Sequence, residues 1–187
     1  MILRKNVLSM ALFSAMAGLS LSANAADQNT ANVTLSGLIS AVTCDIDVNG
    51  VTGGTTVNTG VHTSAAFTGN ANNVAGTPVT MEVTLKNCQG DPGAGDAGGN
   101  LYISGTTANN GNNNIFVGND SATGFMVLKS GGTDSVDALQ NHASVPLKVS
   151  VPDGGASYTF NVAMASTLAA PTAGLYTAPI IISYASE

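Results

Sequence analysis

The chain has no tryptophan, two cysteines, two histidines and only five lysines or arginines among its 187 residues. Each scarcity argues against a class of function. Two lone cysteines with no histidine nearby fall short of the four ligands a structural zinc site needs. Of the five basic residues, Arg4 and Lys5 sit at the extreme amino terminus, and Lys86, Lys129 and Lys148 stand against 11 acidic residues. An acidic surface with three scattered lysines repels phosphate backbones, which argues against nucleic acid as a partner. Long apolar runs are missing beyond residue 25, because polar residues and glycine interrupt each one, so no later segment has the length of a spanning helix.

The amino terminus carries an export signal. Arg4 and Lys5 give it a positive start, Val7 to Leu21 are mostly apolar, and Ala23-Asn24-Ala25 forms a small-x-small cleavage site. A membrane anchor is the competing reading, but the run is short and broken by Ser9, Ser14 and Gly18. Cleavage after Ala25 leaves 162 residues with a formal charge of −8, enough chain for one domain with a real core. In an oxidising exported compartment the cysteines Cys44 and Cys88 are expected to pair. The 44-residue separation corresponds to roughly 4 kcal/mol in the chain-entropy model.

Helix signals are scarce after the leader, and short alternating segments recur between turn residues, as in an all-β sandwich. Val79, Met81, Val83 and Leu85 alternate with Thr80, Glu82, Thr84 and Lys86 to give the clearest half-buried strand. Leu101 and Ile103 mark a short strand, and Phe125 to Lys129, Val145 to Val151 and Tyr158 to Met164 read as others. The last, Pro179 to Tyr184, places Ile180, Ile182 and Tyr184 on one side. Segments 68–77, 89–100, 105–114 and 130–142 are rich in Gly, Asn, Asp and Ser and read as loops.

Three motifs imitate chemistry. Asp45-Ile46-Asp47-Val48-Asn49-Gly50 copies the first half of a calcium loop, but its twelfth position is Thr56 rather than the required glutamate. The simpler reading is a strand with Cys44, Ile46 and Val48 inward, Asp45 and Asp47 in water, and an Asn-Gly turn. Gly93-Ala94-Gly95-Asp96-Ala97-Gly98 matches a dinucleotide fingerprint, yet a strand-like segment follows where the phosphate site needs a helix. His62 and His142 lie in polar stretches, with no nucleophile-elbow pentapeptide in the chain. No enzyme, metal or cofactor is expected.

Residues 30–48 hold two alternations of opposite parity. Val33 and Leu35 share one face of an extended strand, whereas Leu38, Val42, Cys44, Ile46 and Val48 share the other. Side chains switch faces with each residue, so a parity change at Gly37 flips the buried set. Residues up to about 36 therefore serve a different sheet surface from residues 38–48, and that surface need not be on the same molecule. An ordinary first strand packed on the chain's own core is the alternative.

Several of these stretches resemble a known family. Val33-Thr34-Leu35-Ser36-Gly37 followed seven residues later by Cys44, then Val83-Thr84-Leu85-Lys86-Asn87-Cys88, then Gly174-Leu175-Tyr176 and an alternating run to Tyr184, are similar to the anchors of chaperone–usher fimbrial subunits of the type 1 pilus class. The chain departs from that pattern in continuing through Ala185, Ser186 and Glu187, and in having Ala31 where glycine is frequent. The resemblance implies an immunoglobulin-like sandwich lacking its final strand over residues 37–187, preceded by a signal peptide (1–25) and a donor-strand extension (26–36). It further implies that a periplasmic chaperone, and then another fimbrial subunit at an outer-membrane usher, fills the gap in a head-to-tail polymer at the cell surface. Ala31, Val33 and Leu35 would be the inserted face. Ile180, Ile182 and Tyr184 would line the groove's edge and meet the chaperone, with the carboxylate of Glu187 as its anchor. A single-domain adhesin or carbohydrate-binding module, using aromatics such as Tyr102 or Phe116, is the alternative function.

Overall fold

A computed structural model describes residues 39–90, 98–149 and 155–186, all within one unit, Gly37–Glu187. Among the described residues, eight strands make two antiparallel sheets: β1 (Val42–Val48), β2 (Val51–Thr52), β3 (Val74–Gly90), β4 (Gly99–Gly105), β5 (Thr123–Leu128), β6 (Ser144–Pro146), β7 (Ala156–Ser166) and β8 (Ile180–Ser186). One sheet has the order β2-β1-β3-β7-β5 and the other β6-β4-β8. Two single-turn 3-10 helices, Ser64–Phe67 and Ser135–Asp137, are the only helical segments among the described residues.

Alternation along β3 organises the core. Met81, Val83 and Leu85 are buried with Phe160 and Val162 of the adjacent β7 and with Leu101 and Ile103 of the other sheet, while Thr80, Glu82 and Lys86 are exposed. Full burial of each such aliphatic side chain contributes about 1.5–3 kcal/mol. The run Phe125-Met126-Val127-Leu128 does not alternate, because β5 is covered on both faces. Val127 joins the main core, whereas Met126 and Leu128 pack with Ile115, Val117, Ala163 and Ala165 in a second cluster.

β3 starts earlier than its composition predicts. The expected loop 68–77 gives way to strand at Val74, which pairs with Ala165, and the ladder then shifts register between Ala75 and Val79. Gly76 (φ +77°) and Pro78 lie inside that irregularity, where a missing donor and a left-handed residue do least harm. The imidazole of His62 lies over Gly76, where a Cβ would fall 2.6 Å from the ring. The strand expected over 145–151 is shorter among the described residues, ending at Pro146.

Along one flank the two sheets are joined. Phe116 bridges both Thr107 and Phe125, and Ala138 bridges Leu128, so the outer edge of β5 is bonded to the chain arriving from β4 and leaving toward β6. Phe116 and Phe125 exchange two backbone hydrogen bonds of 2.7 and 2.8 Å. The opposite flank is different.

Candidate functional site

β1 and β8 border that opposite flank. They touch at one end, where the Val42 amide donates to Ser186 Oγ (2.8 Å) and the Ser186 amide donates to Ser40 Oγ (2.9 Å). Ser40 Oγ in turn donates to the Val42 carbonyl at 2.5 Å. From this closed end the strands run in opposite directions and part. Between them lies a groove of about 810 Å³, walled by Ile46, Val48 and residues 53–57 on one side and by residues 176–182 on the other. Met81, Phe116, Phe125, Val127 and Val162 form its floor. The floor is hydrocarbon, while Thr55, Thr56 and Thr177 bring polar groups to the walls. Among the described residues β8 pairs with β4 alone, so its other edge carries backbone donors and acceptors without a strand partner. Unpaired edges of this kind are templates for a further strand.

The wall formed by β1 is fastened by covalent and ionic contacts. Cys44 and Cys88 are disulfide-bonded, with Cα atoms 4.1 Å apart, beside a register shift between Thr43 and Asp45. Asn49 (φ +50°) and Gly50 (φ +80°) form the two-residue hairpin that returns the chain as β2, with Val48 opposite Val51. This is the turn expected of an Asn-Gly pair, and it disposes of the calcium-loop resemblance.

Asp47 corrects an expectation: it does not face water but is only 1 % exposed. The short return strand explains the burial, since Thr52 donates to Asp47 Oδ1 (2.7 Å) and Lys86 forms an ion pair with Oδ2. Lys86 first, and then Thr52, hold this carboxyl below the usual carboxylate range against the opposing effect of burial.

Of the residues singled out in the sequence, Ile180 and Ile182 line the groove from β8. Tyr184 does not; it is buried in the main core, its phenol beside Gly99 and raised in pKa by desolvation, and its hydroxyl has no hydrogen-bond partner among the described residues. Ala31, Val33, Leu35 and Glu187 lie outside the described residues. Phe116 is fully buried, which removes it as a ligand-binding aromatic. His62 Nε2 lies 3.0 Å from the Thr59 carbonyl, and His142 occupies a turn (φ +65°) before β6. No group of three or more His, Cys, Asp or Glu able to hold a metal occurs among the described residues. Of the fingerprint run only Gly98 is described, and β4 follows it rather than a helix. The stretch 53–57, polar except for Val57, gave no sequence signal, yet it forms part of the groove wall because the hairpin at Asn49-Gly50 sends the chain back along β1.

Two antiparallel sheets, joined along one flank and parted along the other, define an immunoglobulin-like sandwich without its last strand, the pilin fold. Solved structures share it. The P pilus rod subunit PapA aligns with a TM-score of 0.56 at 15 % identity, covering 77 % of this chain and 99 % of its own. A chain from a chaperone–usher pilus structure concerned with rod uncoiling aligns with a TM-score of 0.54 at 16 % identity, covering 86 % and 97 %. No family model and no curated protein matches the sequence.

Proposed function

We propose that the chain is a structural subunit of a surface fimbria, polymerised head-to-tail by strand donation. The observation that carries this reading is the apolar groove between β1 and β8, bordered by a strand edge that is paired on one side only. An occupant needs alternating small and aliphatic side chains on one face and a backbone free to pair. Residues 31–35 of a second copy meet both requirements: Ala31, Val33 and Leu35 enter, while Asn32 and Thr34 point outward. Burying Val33 and Leu35 contributes about 1.5–3 kcal/mol each. The export signal at residues 1–25 and the disulfide fit passage through an oxidising periplasm. There a chaperone strand would fill the groove first and contact Ile180 and Ile182, before exchange at an outer-membrane usher. The similarity to pilus rod subunits supports a place in the fibre shaft at the cell surface and a supporting role in adhesion. No catalysis or cofactor enters the proposal.

A chain shortened to begin at residue 37 tests it. A synthetic peptide of residues 26–36, supplied at about a hundred times its dissociation constant, adds about 2.7 kcal/mol of stability. For a domain of this size that raises the melting temperature by about 5–10 °C. The Leu35→Asp peptide should give no rise. An unchanged melting temperature with the native peptide refutes the groove as a strand acceptor.

A further inference from the structure

We infer that a second, strand-independent contact links successive subunits: Leu175 and Ile181 at the open end of one copy's groove pack against Ile39 of the copy that donates the strand. The inference rests on the strand-donation reading above. It begins with where the chain leaves the body. Ser40 is hydrogen-bonded to Ser186, so each copy's amino-terminal segment departs from the closed end of its own groove. A donor whose body also sat at that end would compete for space with the acceptor's own departing segment. An open, head-to-tail assembly needs entry and exit at opposite ends. The donated residues 31–35 therefore run opposite to β8, and the donor's body lies beyond Val48 and Ile180.

That polarity decides what the donor's emerging chain meets. Ile39 follows Leu35 by four residues, at most about 14 Å of extended backbone. It thus leaves the groove beside the rim where Leu175 and Ile181 stand. All three are large apolar residues in open solvent: Ile39 is 96 % exposed, Leu175 83 % and Ile181 67 %. Single exposed aliphatics need no explanation. These three lie at the two ends that head-to-tail polarity brings together, and the rim is continuous with the groove, since Ile181 and Leu175's neighbour Tyr176 both line it.

Polymers of the full mature chain provide the test, read against uptake of the peptide 26–36 by the same chain. Leu175→Asp should leave peptide affinity within about two-fold yet shorten the lifetime of the polymer contact about ten-fold. Ile39→Lys should do the same, and combining it with Leu175→Asp should recover most of the loss. Unchanged lifetimes in both single variants, or a combined variant whose losses simply add, overturn the contact while leaving strand donation intact. If the parent chain takes up no peptide, strand donation fails and this inference falls with it.

Discussion

Removing the disulfide is the perturbation whose size follows most directly from the fold. Cys44 and Cys88 close a 44-residue loop, and replacing both with alanine releases that constraint from the unfolded chain. The chain-entropy relation puts the cost at about 4 kcal/mol. Domains of this kind have only about 5–15 kcal/mol in total, so the loss is a large fraction of it. In heat it corresponds to a fall of about 8–16 °C. Urea unfolding of the Cys44→Ala/Cys88→Ala chain against the parent, both with the 26–36 peptide present, measures it. The midpoint should fall, and the slope should steepen because the freed unfolded chain exposes more surface. The damage should also be local: β1 is held by β3 and the two-residue β2, so amides of residues 45–47 should lose exchange protection before those of β7. A loss under about 1 kcal/mol with an unchanged slope would refute the loop-entropy reasoning.

Two further outcomes are expected. Gly124 faces the Phe116 carbonyl oxygen so closely that an added Cβ would also lie 2.8 Å from the Phe116 carbonyl carbon and 3.0 Å from Val117 Cγ1. Gly124→Ala should cost about 1–3 kcal/mol by overpacking, and an unaltered urea midpoint would show that this seam yields freely. The lowered carboxyl of Asp47 stabilises the fold above about pH 4, and that contribution is lost as pH falls through its lower folded-state value. Asp47→Asn should therefore melt below the parent at neutral pH, with the gap narrowing in acid; a gap that does not narrow as the pH is lowered contradicts this.

The strands were legible wherever one face is buried and the other wet. Val79 to Leu85 could be read residue by residue because in this stretch Met81, Val83 and Leu85 are core and the residues between them are not. The two-residue turn was equally plain, since only a residue pair tolerant of positive φ fits at Asn49-Gly50. Misreadings occurred where a neighbour from afar changes a residue's surroundings. Asp47 has the chemistry of a solvent-facing residue and becomes buried only because Thr52 and Lys86 close over it. Tyr184 has the parity of the groove residues Ile180 and Ile182, but near the closed end that same face is already core. Val74 sits among turn-forming residues, and its pairing with Ala165 is a long-range choice that local composition does not encode. The groove itself is a property of two strand edges far apart in the chain, so local composition does not encode it, and only the family resemblance implied it.

The joined flank at Phe116 has a mechanical consequence. With both sheets tied along that line by the Thr107, Phe125 and Ala138 bridges, relative rotation of the sheets pivots there, like a book about its spine. At the other flank only the closed end is tied, where Ser186 bonds the Val42 amide and Ser40, so a small turn is felt mainly at the open end near Val48 and Ile180. Any widening of the cleft is therefore confined to that open end, where no ladder joins β1 to β8 among the described residues.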